Sequence, residues 1–361
     1  MEELVGLTRR LVGISSHSDE TTVGDAIEDW LREETTGSVT RDEAGNVIAR
    51  KGSGPTLALV GHHDVVPPAE SQIGPDGRYL VEERNGRLVG RGTADMKGAV
   101  AASMLAFRDA QPAGELAFAS FTGEERGGDG ARTAIEAGFR PAAAIVGEGS
   151  TGYSAPEVTD VVIAHNGRRG STLVARGDAA HASEPDAGEN AVYRACDAID
   201  IVRGLEAPTV DVFGEPVSGS VVVTEIEGGS AWNVIPDRCT VTIDERTVPG
   251  ERAAIDRVEE VDGVEWRVDQ DLPPMGCDDE AFAEAVRGVA AAAQSGSPAL
   301  VTKPHATDAG WLARAGTTCV VCGPAEQGEA HTAGESVSIE VLARCYRIYR
   351  DAAERLPEAS P

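Results

Sequence analysis

Six short stretches of this chain combine imidazole and carboxylate groups in settings that suit metal ligation or proton transfer. They are Gly61-His62-His63-Asp64, Asp95 within Gly90-Arg91-Gly92-Thr93-Ala94-Asp95-Met96-Lys97-Gly98, the pair Glu124-Glu125, Glu148, His181 and His331. Two imidazoles and three carboxylates can hold a pair of zinc-like ions. A further carboxylate beside a ligand can then serve as a base, the division of labour that hydrolysis of an unactivated amide requires. His62 can offer one ring nitrogen to an ion while Asp64, two residues on, accepts the other ring N–H; an ordinary loop pair is the alternative. Asp95 sits in a glycine-rich loop just before a helix, where a lone aspartate could equally be an N-cap. Glu124 and Glu125 are adjacent, so on extended backbone one can bind metal while the other faces the substrate water; in so acidic a chain they could also be a plain surface loop. Glu148 lies between Gly147 and Gly149, and His331 lies beyond Gly323-Pro324. His63 points the other way and reads as a non-ligand, and His17 and His165 read as bystanders.

These residues must be placed by alternating strands and helices. Glu2 to Val12 and Thr22 to Glu34 have helical apolar spacing. Thr56-Leu57-Ala58-Leu59-Val60 has no polar alternation and suits a central strand covered on both faces. Leu116 to Phe121 and Ala143 to Val146 read as further strands, and Gly98 to Ala110 as a small-residue helix. His62, Glu124-Glu125 and Glu148 each follow such a strand, where ligands gather in open α/β sheets. The middle of the chain reads β-α-β-β-α-β: Ser171 to Gly177, Asn190 to Arg203, Ser218 to Glu227, Arg238 to Arg246, a helix from Pro249 to Val261, and Val264 to Val268. That is a ferredoxin-like order. The expected organisation is an α/β domain from 1–166 and 273–361, interrupted by an inserted α+β module at 167–272. The α/β pattern then resumes with Asp279 to Gln294, Thr317 to Cys322 and Ile339 to Arg355, and Leu356 to Pro361 should fray.

The chain has 361 residues and a formal charge of −28, with Lys51, Lys97 and Lys303 its only lysines. No sustained basic stripe exists, which argues against nucleic-acid binding. No apolar run is long enough for a membrane span, and no secretory signal is visible, so a cytoplasmic location is expected. Acidity spread along the whole chain favours a surface adapted to high salt over an acidic patch for a basic partner. The six cysteines include Cys319-Val320-Val321-Cys322. With β-branched residues between them and no second such pair, these thiols read as structural.

In combination the motifs resemble those of the co-catalytic zinc family of aminoacylases, glutamate carboxypeptidases, acetylornithine deacetylases and succinyl-diaminopimelate desuccinylases. The resemblance rests on Gly61-His62-His63-Asp64-Val65-Val66-Pro67, Gly90 to Gly98, Gly123-Glu124-Glu125, Glu148, and Gly228-Gly229-Ser230-Ala231-Trp232-Asn233-Val234-Ile235-Pro236 with the segment Asp244 to Glu251. It implies a mixed-sheet, zinc-peptidase-like catalytic domain and an inserted ferredoxin-like dimerisation or lid domain. It also implies two divalent ions, zinc or alternatively cobalt, bridged by Asp95, with His62 and Glu148 on one and Glu125 and His331 on the other. Glu124 would be the base, with Asp64 a supporting catalytic residue. His181 would reach the partner subunit's site in a homodimer and donate to the oxyanion. Asn233 and Arg246 would bind the substrate's carboxylate, with Gly323 also contacting substrate. The family carries a cis peptide after the bridging aspartate, here Asp95–Met96.

Asn166-Gly167-Arg168-Arg169-Gly170-Ser171 is similar to the desuccinylase segment in which Arg168 would hold a distal carboxylate. The second half departs from that enzyme at Gly334, Ala325 and Gly310. The expected activity is hydrolysis of an N-acyl amino acid, desuccinylase-like first. A deacylase of acetyl-ornithine, acetyl-lysine or a carrier-linked amino acid stands next, then a dipeptidase or carboxypeptidase, and last a non-catalytic binding protein.

Overall fold

The computed structural model describes residues 1–75 and 77–355. The expected fraying of Leu356 to Pro361 lies outside the described residues. The described residues divide into two compact units, one of residues 1–164, 275–303 and 307–355, the other of 165–274 and 304–306.

The first unit is built on a mixed sheet. Its strands run in the order Ser38–Arg41, Val47–Gly52, Glu115–Phe121, Thr56–His62, Ala143–Val146, Thr318–Val321, Val161–His165 and Met275–Gly276, with Leu300–Lys303 also pairing Val161–His165. The four strands from Glu115–Phe121 to Thr318–Val321 are mutually parallel. Their apolar runs are buried on both faces, as an all-buried parallel core requires. Register aligns their ends: His62 pairs with Phe121, Val60 with Val146, and Val146 with Val321. The segments that leave these strands therefore emerge along one edge of the sheet. The helix Lys97–Asp109, buried along nearly its whole length and rich in alanine, packs against the sheet and against Ile339–Arg355. Its small side chains allow that close approach.

A smaller antiparallel sheet, Ser336–Ser338, Arg87–Val89 and Glu82–Arg84, pairs Ser336 with Val89. The loop Gly90 to Met96 and the loop ending at Glu335 thus leave one end of a single strand pair. The Asp95–Met96 peptide is cis.

The second unit holds a four-stranded antiparallel sheet in the order Ser220–Gly228, Arg238–Thr247, Gly167–Arg176, Val264–Leu272. The helix Ala191–Arg203 covers one face, capped by the Asn190 side chain, which accepts from Val192 and Tyr193 N–H groups. Leu173, Ala195, Val241, Ile243, Ile255 and Val258 form its core. The helix expected over 249–261 is only a short 3-10 turn, Ile255–Glu260. Pro249-Gly250 makes a turn, with Gly250 at φ 78° and Val248 bridging Glu251, so the backbone is diverted before a helix can start. A hairpin, Thr209–Val212 with Glu215–Ser218, precedes the strand that the sequence placed from Ser218.

Candidate metal centre

His62 is the last residue of the strand Thr56–His62 and is 1% exposed. Its Nδ1 faces the Asp64 backbone carbonyl at 3.1 Å and the Asp64 carboxylate at 3.3 Å. Its Nε2 faces Asp95 Oδ1 at 3.0 Å and Glu148 Oε1 at 3.3 Å. His331 turns its Nε2 to Asp95 Oδ2 at 3.1 Å and to Glu125 Oε1 at 3.0 Å. The two oxygens of Asp95 are thus divided between two imidazoles, and each imidazole has a second carboxylate of its own. Glu124 belongs to the same cluster, with donor atoms of His62, Glu124 and Glu148 within 4.8 Å of one another and those of His62, Asp95 and Glu125 likewise.

The local sequence accounts for this convergence. After Phe121 the chain turns through Thr122, whose N–H donates to Asn46 Oδ1 at 3.0 Å, and Gly123, whose φ of 63° suits a residue without Cβ. The N–H groups of Glu124 and Glu125 then donate to Asp64 Oδ1 and Oδ2, both at 3.1 Å. One buried carboxylate therefore orients His62 and anchors the backbone of both glutamates. Glu148 follows Val146 through Gly147. Gly323, after the neighbouring strand, lies so close that a Cβ on it would stand 2.0 Å from the Gly147 carbonyl oxygen and 2.4 Å from that of Glu148. His331 adopts φ 65°.

Electrostatics tie the groups together. Burial opposes charge on His62, but hydrogen bonds to Asp64, Asp95 and Glu148 outweigh it and raise its pKa well above the usual imidazole value. Burial likewise works against ionised Asp95, yet its bonds to His331 and His62 hold it below the carboxylate range. Hydrogen bonds to Asp95 and Glu125 push His331 up to about 10. Glu124 is raised well above the ordinary value by burial, with Asp308, Glu148 and Glu125 adding repulsion against the pull of His62. His63 is turned to Ser120 Oγ at 2.8 Å, and burial lowers it to about 3, which keeps it neutral.

The donor set is imidazole nitrogen and carboxylate oxygen without a thiolate, in two overlapping groups that share one aspartate. That chemistry fits two borderline divalent ions of the zinc or cobalt type. Lys303, which sequence reasoning left unassigned, sits 3.5 Å from Glu148 Oε2 and is 7% exposed. Asp308 and Glu335 are also buried beside this cluster and had no assigned role; their signal was only that each lies within a few residues of a motif segment.

The other expected site residues lie in the second unit. Arg168 Nε donates to Asp244 Oδ2 at 2.7 Å, and Arg246 Nε to Asp244 Oδ1 at 2.9 Å, because Arg168 and Arg246 are cross-strand partners. A cavity of about 290 Å³ is lined by Asn166, Ser218, Ser220, Arg246, Pro304 and His305. His181 is exposed and pairs in an isolated bridge with Val234, while the Ala182 N–H donates to the Asn233 carbonyl at 3.0 Å, so His181 and Asn233 lie on facing segments. The Ser183 N–H donates to His181 Nδ1 at 3.2 Å, which makes Nδ1 the acceptor and puts the ring proton on Nε2.

This chain belongs to peptidase family M20/M25/M40, which it matches over residues 58–355. It is 32% identical over 330 residues to an acetylornithine deacetylase of Myxococcus xanthus, covering 84% of this chain and 83% of that protein. It is also 32% identical over 349 residues to a succinyl-diaminopimelate desuccinylase of Alkalilimnicola ehrlichii, covering 87% of this chain and 88% of the relative. Among solved structures, the YxeP protein of Bacillus subtilis, a dinuclear metal binding peptidase of the M20 family, has the same fold. Its TM-score is 0.72 at 18% identity, with 98% of this chain and 97% of that chain covered. The chain is a hydrolytic enzyme of this family. Among the described residues no helix is long and apolar enough to cross a membrane.

Proposed function

We propose that the chain hydrolyses the amide bond of an N-acyl amino acid and releases the free amino acid, using two divalent ions, most simply zinc. The observation that carries this reading is the split of the Asp95 carboxylate between His62 and His331, each imidazole having its own further carboxylate. In this proposal Asp95 would serve both ions, His62 and Glu148 would hold one, and Glu125 and His331 the other. Bound there, the ions supply Lewis-acid polarisation of the amide carbonyl and acidify the attacking water. Glu124, beside but outside the two ligand sets, takes the water's proton and delivers it to the leaving amine. Asp64 keeps the His62 ring and the Glu124 and Glu125 backbone in register for that transfer.

On the substrate side, the family resemblance gives Asn233 and Arg246 the carboxylate of the amino acid, Gly323 a backbone contact, and His181 the oxyanion through its Nε2–H, across a homodimer formed by the second unit. Arg168 and Arg246 side by side, with only Asp244 between them, leave one guanidinium charge in excess. An acyl group ending in its own carboxylate needs such an extra cation, whereas an acetyl group does not. The first choice of substrate is therefore a succinyl-type amino acid such as N-succinyl-diaminopimelate, with action in a lysine or arginine biosynthetic reaction of the cytoplasm. N-acetylornithine, acetyl-lysine and carrier-linked amino acids are the second reading, favoured by the likeness to the Myxococcus xanthus relative.

Initial rates on N-succinyl-diaminopimelate, N-acetylornithine and unblocked dipeptides, with Glu124→Gln as control, test this. The succinylated substrate should be hydrolysed fastest, and the control should lose at least about 100-fold in kcat, the lower range for a general base. Faster turnover of N-acetylornithine overturns the acyl preference. Unblocked peptides as the only substrates overturn the deacylase reading, and undiminished turnover by Glu124→Gln overturns the base.

A further inference from the structure

We propose that Glu335, paired with Arg91, is a positioning residue that sets the separation of Asp95 and His331 and so the affinity of the centre for its second divalent ion. The proposal rests on the two-metal reading above. Glu335 is 0% and Arg91 3% exposed. A buried ion pair is costly to form and gains little stability unless its remaining hydrogen-bonding capacity is used. Apart from Arg91 Nε, which has no partner, the hydrogen bonds of the pair go to the two loops that carry Asp95 and His331. Glu335 Oε1 accepts three backbone N–H groups, from Gly92 at 2.9 Å, Ala94 at 3.0 Å and Asp95 at 3.1 Å. Its Oε2 accepts from Arg91 Nη1. Arg91 Nη2 donates to the backbone carbonyl of His331 at 3.3 Å. The Gly90 N–H returns a bond to the Glu335 backbone carbonyl at 2.9 Å.

The topology makes this pair a link between the backbones of the two ligand loops. Ser336 pairs with Val89, so the loops holding Asp95 and His331 leave the same end of one strand pair. His331 is half exposed and in a left-handed conformation, and the Arg91 bond to its carbonyl fixes the loop from the buried side. The three N–H groups gathered by one carboxylate oxygen resemble the concave backbone nests that bind anions; here the anion is a side chain of the same chain. A group that orients metal ligands in this way is worth about 10–100-fold in metal affinity in other sites.

Zinc titration of the metal-stripped full chain by calorimetry, with thermal melts of each metal-free sample, tests the proposal in wild type, Glu335→Ala, Glu335→Gln and Arg91→Met. Wild type should bind two ions. Glu335→Ala should bind the second about 10–100-fold more weakly, with kcat reduced more than KM. Glu335→Gln keeps an oxygen for the three N–H groups and should recover most of that affinity. Arg91→Met keeps the Glu335 contacts to the Asp95 loop and, of the pair's bonds to the two loops, loses only the one to the His331 carbonyl, so it should weaken the second ion by less than Glu335→Ala does. A purely structural role would lower the metal-free melting temperature of Glu335→Ala and leave both affinities as in wild type, and that result overturns the proposal. Glu335→Gln binding no better than a folded Glu335→Ala overturns it too, and if Glu335→Ala does not fold, unchanged affinities in Arg91→Met overturn it instead. A wild-type chain that takes up no divalent ion overturns the two-metal reading itself, a failure that the variants do not produce.

Discussion

Asp308 is 3% exposed and neither of its carboxylate oxygens has a hydrogen-bond partner. Burial pushes its pKa up to about 8, against the attraction of His62 and with added repulsion from Asp64 and Glu148. A carboxyl with a higher pKa folded than unfolded holds its proton more tightly in the folded chain. Its contribution to stability is complete below the ordinary carboxylate range and is lost as pH rises through about 8. In the metal-free protein, Asp308→Asn removes this dependence, so the melting temperature of the variant minus that of wild type should increase from pH 5 to pH 8. Melts at the two values check this, and a gap that stays constant would mean that Asp308 is already ionised at pH 5. The residue was not legible as a functional group from the sequence, because a buried, unpartnered carboxyl looks the same in a string of letters as a solvated one. That His62, Asp95, Glu125, Glu148 and His331 come together could be anticipated because most of them follow a strand or lie in a glycine-rich turn that delivers a side chain to one edge. Asp64 was expected as a partner of His62 and a support for catalysis; its contacts to the Glu124 and Glu125 N–H groups depend on the parallel pairing of two strands far apart in sequence.

The parallel strands of the first unit carry the positioning, and their close spacing leaves no freedom at Gly323. A Cβ there would lie 2.0 Å from the Gly147 carbonyl oxygen, and backbone cannot step aside as a flexible side chain can. Gly323→Ala should therefore force apart the segments that leave Ala143–Val146 and Thr318–Val321, displacing Glu148. The expected cost is about 1–3 kcal/mol of stability, typical of overpacking, and a loss of kcat larger than that of a surface alanine substitution. Chemical denaturation with kinetics on the same sample tests it; wild-type values for both would mean that the strand ends are loosely coupled. The central strand Thr56–His62 was readable from its uninterrupted apolar run up to Val60, and the helix Ala191–Arg203 as a helix from Asn190. The 3-10 turn at Ile255–Glu260 was not, since Ile255 and Val258 are buried at a spacing that fits one turn of either helix type. The three-stranded sheet that sets the Asp95 and His331 loops side by side was also missed, because its strands are only three residues long and the pairing of Ser336–Ser338 with Arg87–Val89 spans about 250 positions.

Across the whole molecule, net charge also bears on stability. A formal −28 over 361 residues, with three lysines, leaves many carboxylates without a cation. Several arginines are committed to local pairs, among them Arg168 and Arg246 with Asp244 and Arg169 with Glu245. The excess negative charge repels itself in the compact state more than in the expanded one, so it destabilises folding wherever it is unscreened. Screening lengths fall from about 10 Å at 0.1 M salt to about 3 Å at 1 M, the latter shorter than most separations between surface carboxylates. Added KCl should therefore raise the melting temperature, most steeply below about 1 M, where the screening length is still changing. Beyond that point any further gain comes from salt acting on the hydration of the acidic surface and on apolar burial, and should be shallower. Melts of the metal-free chain from multimolar KCl down to about 0.1 M at constant pH measure this, and working without metal separates the effect from ion binding at Asp95. A melting temperature that is flat, or that rises as KCl is withdrawn, would mean that the carboxylates are compensated locally. The acidity would then have to be explained by a basic partner rather than by the solvent.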